Sequence, residues 1–422
     1  MFIRKDLEAT VRSVSETFPV LLLTGPRQSG RKTLLAKLAA QDRRSVNLDH
    51  PSARLLARAD PELFLQRHTP PVLIAEVQQA PQLFPYIKIL ADQHHQPGDF
   101  WLTSSLSFPT MPGVSESMAG RAGIVPMLGL GAAELDNRSP GAFTPDPQSL
   151  ARRAAEAVPR TCAGIFSRIF TGSVPLLHAS PWINREQFFE AYLDTHLSHE
   201  LHLMDPAADE TAYIRFIQVA AARTANPVNC REMARETGIT ARTAKKWLSI
   251  LVSSGIVTLI QPFPCTTCTS TQQITRAPLM FFLDTGLCAH LMGWSSAHVL
   301  ERSVMSSAFF ATWVVSEICR SYLHTGRRPP LFHCQGRRRR EMQFALYADR
   351  TVHPLAVSMV PHAENALRNF PLTAPASPQE LEDAGAGRNL PAPVIGTGGV
   401  ICMTPDLRSL DENIWSIPSW CL

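Results

Sequence analysis

Gly25 and Gly30 bracket Gly-Pro-Arg-Gln-Ser-Gly-Arg-Lys-Thr, residues 25–33, directly after the apolar run Val20-Leu-Leu-Leu23. A strand, a glycine-bounded loop and a helix in this order outline a phosphate-binding loop. In its working form, G-x-x-x-x-G-K-[ST], backbone N–H groups and a lysine hold the phosphates while a hydroxyl binds Mg²⁺. The glycine spacing is kept here, but Arg31 stands at the lysine position and Lys32 at the hydroxyl position. A guanidinium is a planar fork on a longer arm and does not replace an ammonium in a tight loop. An ammonium cannot coordinate a cation and repels Mg²⁺ at close range, yet it can neutralise a phosphate. Gly25, Pro26, Arg27, Gln28, Ser29, Gly30, Arg31, Lys32 and Thr33 are therefore candidate nucleotide-binding residues, with ATP or another nucleotide as ligand and Mg²⁺ doubtful. The alternative is a remnant loop that only joins strand to helix.

Other polar residues fall where such a loop needs help. Pro71-Val-Leu-Ile-Ala75-Glu76 reads as a strand ending in one carboxylate. Glu76 is a candidate catalytic residue that would polarise water, or a strand-end carboxylate paired with a nearby arginine. Ala75 leaves the metal-organising half of a strand-end acidic pair missing. Asp99-Phe-Trp-Leu-Thr103-Ser-Ser105 is a further strand, and Thr103 in its hydroxyl-rich end is a candidate nucleotide or water contact, or simply part of a strand end. Arg121, after Met118-Ala-Gly120, is a candidate phosphate-reaching arginine, or a cap on helix carbonyls.

These residues need a scaffold, and the strand–helix rhythm through residue 135 predicts an α/β domain with a parallel sheet. At 422 residues, with 45% hydrophobic and 18% charged residues, the chain has material for two or three globular domains. A net charge of +4 is too weak over this length to argue for nucleic acid by itself. No apolar run approaches the roughly 18 residues of a membrane helix, and the first residues lack a signal peptide's apolar core, so a cytoplasmic protein without membrane contact is expected. Nine cysteines, without an export signal, are expected as reduced thiols. Cys265-x-x-Cys268 lacks a second ligand pair, and no metal site is assigned.

Beyond Glu134 the composition turns to Pro, Ala, Asp and Gly, and residues 136–160 read as a linker. In Val228–Gly255, two short helices joined at Gly238 form a helix-turn-helix signal. Thr240 is the expected N-cap of the second helix. Ile239, Ala244, Trp247, Leu248 and Leu251 would face the core, leaving Arg242, Lys245 and Lys246 outward as candidate DNA contacts. A rigid lid or dimer element is the competing reading of the same unit. Ile256–Ile260 and Leu279–Leu283 read as paired strands of a wing. Arg337, Arg338, Arg339 and Arg340 form the densest basic run, either phosphate contacts or a solvated turn. A third unit with a helix at 304–323 and several strands completes the chain, with residues 361–396 read as a loop.

Taken together, Leu22-Leu-Thr-Gly-Pro-Arg-Gln-Ser-Gly, Pro71-Val-Leu-Ile-Ala-Glu-Val-Gln-Gln-Ala-Pro, Leu102-Thr-Ser-Ser and Glu116-Ser-Met-Ala-Gly-Arg resemble, in order, a family of bacterial and archaeal AAA-type P-loop ATPases. That family's usual strings are LLTGPRQVGKTTLL, IDEIQRAP, LTGSS and LAGR. Leu248-Ser-Ile-Leu-Val-Ser-Ser-Gly-Ile-Val, Phe281-Phe-Leu-Asp-Thr-Gly-Leu and Val314-Val-Ser-Glu resemble its companion domain of unknown function. The resemblance implies an AAA-type P-loop domain over 1–135, a helical and winged-helix domain over 161–285, and a restriction-endonuclease-like α/β domain over 286–422. A homo-oligomeric ring is an AAA-type expectation. Against the family pattern, Ala75 replaces an Asp and Ser104 a Gly. Gln343 stands for the Asp of R-E-V-D, Ala356 and Ser358 for the Glu and Lys of I-E-V-K, and Ala311 for a frequent acidic residue. The expectation is a degenerate ATPase homologue that binds nucleotide or serves as a scaffold. DNA binding, or ATP hydrolysis with unusual Walker residues, are the alternatives.

Overall fold

A computed structural model describes residues 7–39, 43–107, 118–180, 182–197, 201, 204–205, 207–263, 277–334, 342–360, 366–367 and 394–422. The chain opens with α1 (Glu8–Thr17), β1 (Val20–Thr24), α2 (Arg31–Leu38), β2 (Arg44–Asn47), α3 (Pro51–Ala59) and α4 (Pro61–Arg67). It continues through β3 (Val72–Ala75), α5 (Leu83–His94), β4 (Phe100–Ser104) and β5 (Ala122–Pro126). Asp60 starts α4 as its dipeptide with Pro61 predicts, its carboxylate accepting from Leu63 N at 2.9 Å. The five strands form one sheet in the order β2-β3-β4-β1-β5, every neighbouring pair parallel.

Alternation along each strand divides the core between the two faces of this sheet. Leu22, Ile74 and Leu102 face Phe64, Phe84 and Ile87 from α4 and α5. Leu21, Leu23, Leu73 and Trp101 face Leu34 and Leu35 of α2 and Val11 of α1. Burial on both faces is why β1 carries no polar residue before Thr24. In register, Thr24 pairs with Ser104 on one side and Pro126 on the other, so the loop after β1 leaves from the carboxyl edge at mid-sheet. There the chain's progression across the sheet reverses, which is where open α/β sheets form a ligand crevice.

Residues 136–160 depart from the expected linker. They carry a helix, Pro147–Glu156, capped by Asp146, with Leu150 and Arg153 fully buried. The Arg153 guanidinium lies 5.4 Å from the Phe143 ring and donates to the carbonyls of Gly141 at 2.7 Å and Cys421 at 3.3 Å. A composition rich in Pro and Ala here marks a helix start and close packing.

Helices Cys230–Thr237 and Ala241–Ser253 meet at Gly238, which adopts φ +82°, and Thr240 caps the second by accepting from Thr243 N at 3.1 Å. They stand against a small antiparallel sheet ordered β6 (Asn226–Pro227), β8 (Leu279–Phe282), β7 (Val257–Ile260). Ala244, Trp247, Leu248 and Leu251 are buried and Ile239 is half-buried.

The C-terminal part joins a long helix, Ser306–Leu323, to a mixed sheet of seven strands. These are β9 (Leu331–His333), β10 (Met342–Ala348), β11 (Thr351–Val357), β12 (Val394–Ile395), β13 (Gly398–Cys402), β14 (Arg408–Asp411) and β15 (Ile414–Pro418). One apolar cluster runs from Phe166 through Phe216 and Trp247 to Phe309, Phe344 and Trp420. The boundary expected at 285–286 thus falls inside a shared core. Most of the loop expected over 361–396 lies outside the described residues, though Val394–Ile395 pairs with β11. Among the described residues, no helix is long and apolar enough to cross a membrane.

Candidate functional site

Gly25 has φ +148°, and a Cβ there would lie 1.9 Å from the Met127 carbonyl oxygen, so the loop can pass beside β5 only with glycine at this position. Gly25 N donates to Ser104 O at 3.2 Å and Met127 N to Thr24 O at 2.7 Å, tying the loop to both neighbouring strands. Gly30, at φ +92°, precedes α2 without a side chain to cap it, and the first helical N–H groups open on a cleft of about 260 Å³. Residues 27–33, Asp49 and Glu76 wall that cleft.

The charged groups in the cleft are matched to one another. Arg31, 5% exposed, donates from Nη2 to Glu76 Oε1 at 3.1 Å and from Nη1 to Pro26 O at 3.2 Å. Glu76 lies at the end of β3 with left-handed backbone (φ +58°), its N–H held by Thr103 Oγ1 at 3.0 Å and its Oε2 by Gln78 Nε2 at 2.8 Å. Burial pushes the Glu76 carboxyl up. The Arg31 charge, the Gln78 hydrogen bond and the more distant Arg27 and Lys32 outweigh burial and hold it below the usual carboxylate range. Lys32 Nζ meets Asp49 Oδ2 at 2.9 Å in an exposed pair. There too burial opposes, and Lys32, Arg27 and Asn47 lower the Asp49 carboxyl. Thr33 is exposed and Ser29 buried, its Oγ without a hydrogen-bond partner among the described residues. Ser104 Oγ folds back to Leu106 O at 2.9 Å and ends its strand.

A second, small cavity, about 30 Å³, adjoins the loop on its other side. Pro26–Ser29 form one wall, and Leu128, Phe189, Tyr192, Ile256 and Leu287 form the apolar remainder. Asp284 is its carboxylate: Oδ2 accepts from Ser173 N at 2.8 Å and Ser173 Oγ at 2.6 Å, and Oδ1 caps helix Thr285–Leu291 through Leu287 N at 2.8 Å. Gly255 lies against Pro26, where a Cβ would stand 3.0 Å from Pro26 Cδ. Of these residues, the sequence assigns only Pro26–Ser29 to a site. Helical periodicity shows that Tyr192 is buried but not against what; the Phe281–Leu287 string was the one available signal.

The remaining expected residues are dispersed. Arg121 does not approach the cleft. It immediately precedes β5, its carbonyl accepts from Val20 N at 3.2 Å, and it therefore sits at the amino edge of the sheet, opposite the loop. There it forms a bidentate pair with Asp92 and donates to Ala119 O. Arg242 and Lys245 are exposed, as is Lys246, which pairs with Asp205 at 2.9 Å. Arg337, Arg338, Arg339, Arg340, Cys265 and Cys268 lie outside the described residues. Gln343 and Ala356 face each other across β10 and β11, with Gln343 buried and donating to Ala366 O at 2.7 Å.

Parallel sheet, reversing connection, glycine loop and strand-end glutamate give the N-terminal region a P-loop ATPase-like fold. Residues 17–135 match the family model of the AAA domain, and residues 164–298 match that of a domain of unknown function (DUF8612). Uncharacterized proteins of Mycobacterium tuberculosis and Mycobacterium bovis are each 26% identical over 317 residues, 75% of this chain and 65% of theirs. The chain thus spans less than two thirds of the length of these relatives. A Walker-type ATPase of Pyrococcus abyssi superposes with a TM-score of 0.44 at 13% identity, covering 69% of this chain and 96% of that one.

Proposed function

We propose that the protein is a degenerate AAA-type ATPase homologue that binds a nucleotide without Mg²⁺, does not hydrolyse it, and acts through binding or as a scaffold. The observation that carries this reading is the Arg31–Glu76 pair. The glutamate available to activate water is neutralised by the residue that replaces the phosphate-binding lysine. Mg²⁺ does not fit the donor set: Lys32 occupies the hydroxyl position and is paired with Asp49, and Ala75 offers no ligand. Phosphates would rest on the first N–H groups of α2, flanked by Arg27 and Lys32. Calorimetric titration with ATP and ADP, in EDTA and in Mg²⁺, tests this. Affinity unchanged by the metal and no phosphate release are expected; Mg²⁺-dependent binding with turnover would overturn the reading.

A second reading, DNA binding, is favoured by the exposed Arg242 and Lys245 on the second of the two helices at Gly238. With β7 and β8 we read this unit as a winged helix, and the C-terminal unit as restriction-endonuclease-like but without nuclease chemistry, since Gln343, Ala356 and Ser358 supply no metal ligand set. Binding of a labelled duplex should weaken steeply with salt and further on Arg242→Ala/Lys245→Ala. No binding at low salt removes this reading.

A further inference from the structure

We infer that the cleft over residues 25–33 selects a nucleoside diphosphate over a triphosphate. This rests on the nucleotide-site reading above and adds the length of the phosphate chain. In a phosphate loop the backbone N–H groups hold the inner phosphates, and the side chain at the position of Arg31 serves the outer two. Arg31 is held at both ends, by Pro26 O at 3.2 Å and Glu76 Oε1 at 3.1 Å. Turning toward a third phosphate would strand a carboxylate that is 4% exposed. Glu76 cannot swing aside, because Gln78 Nε2 holds its other oxygen at 2.8 Å and is itself within 3.0 Å of Ser105 Oγ, while Thr103 fixes its backbone.

A third phosphate would therefore meet an arginine whose charge is already taken by Glu76, with no divalent cation to stand in for it, and its added charge would go uncompensated in a partly buried site. The second carboxylate, Asp49, holds Lys32 on the same side. The inner phosphates are better served. The uncapped first turn of α2 presents N–H groups and the positive end of its dipole. Ser29 Oγ, on a residue 3% exposed that walls the cleft, has no hydrogen-bond partner among the described residues and is a spare donor beside the inner phosphates.

Calorimetry on the full chain in EDTA should show ADP binding at least about tenfold more tightly than ATP. Glu76→Gln keeps the shape but removes the charge that occupies Arg31; it should raise ATP affinity about tenfold and ADP affinity by less. Should that variant melt early, Asp49→Asn in the exposed pair should shift the ATP-to-ADP ratio in the same direction. ATP binding as tightly as ADP in the wild type, or a ratio that neither variant moves, overturns the inference while leaving the nucleotide site in place. Failure of both nucleotides to bind, with or without Mg²⁺, overturns the site itself.

Discussion

Arg31→Ala is expected to lower the stability of the N-terminal domain by about 3–5 kcal/mol, the usual loss when one partner of a buried ion pair is removed. Arg31 and Glu76 are 5% and 4% exposed, so water cannot replace the lost guanidinium. The expected signature is an earlier calorimetric transition with faster amide exchange in β3 and β4. Acid makes the argument sharper. The folded Glu76 carboxyl lies below its ordinary range, so the pair's contribution is fully present at neutral pH and is lost as pH falls below the ordinary carboxylate range through the folded value. In Arg31→Ala the largest opposing cause, burial, is left with less to counter it. The Glu76 carboxyl should then move upward, so the variant's deficit narrows in acid. Replacing both residues, Arg31→Met with Glu76→Leu, removes the stranded charge and should recover most of the loss. A single variant that melts with the wild type would show that the pair is solvated in solution.

What was legible in the sequence is what local pattern dictates. β1, the glycine loop and α2 follow from an apolar run, two glycines at fixed spacing and the helix behind them, and Asp60-Pro61 and Thr240 start helices by side-chain chemistry that is local. Glu76 was read as either a water-polarising residue or an ion-pair partner; the pairing is with Arg31, 45 residues away, which only the fold brings near. Arg121 was misplaced because Ala122–Pro126 was not recognised as a strand. Once that segment is a parallel neighbour of β1, the residue before it must lie at the amino edge. The apolar cavity was not legible because its walls come from the loop after β1, a helix near residue 190 and turns at 255 and 284. Periodicity gives each segment a buried face without naming its partner. Composition also misleads over residues 136–160, since the helix there has only a narrow apolar face, Leu150, Ala154 and Ala157, and buries an arginine against Phe143 and main-chain carbonyls.

Glu317→Ala should cost a comparable amount, about 3–5 kcal/mol, and should weaken nucleotide binding from a distance. Glu317 lies on the long helix Ser306–Leu323, pairs with Arg320 one turn later, and accepts from Ala132 N at 2.8 Å. Arg320, 3% exposed, also donates to Leu283 O at 3.2 Å. Close by, Leu128 N donates to His324 Nε2 at 3.3 Å, which places the imidazole proton on Nδ1, 3.5 Å from Glu134 Oε2. Glu134 also accepts from Gly131 N at 2.9 Å. These bonds staple the segment leaving β5 to the C-terminal helix, and Leu128 and Leu283 at either end of them line the apolar cavity. Without Glu317, Arg320 is a buried cation with no carboxylate and Ala132 N loses its acceptor, so both walls of the cavity lose a tether. Glu317→Gln retains an acceptor for Ala132 N and should fall between wild type and alanine in melting temperature. Because that cavity backs Pro26–Ser29, nucleotide affinity should fall in the same order, measured below the melting transition. Affinity that stays constant while stability falls would assign the cluster to folding alone and detach the cavity from the nucleotide site.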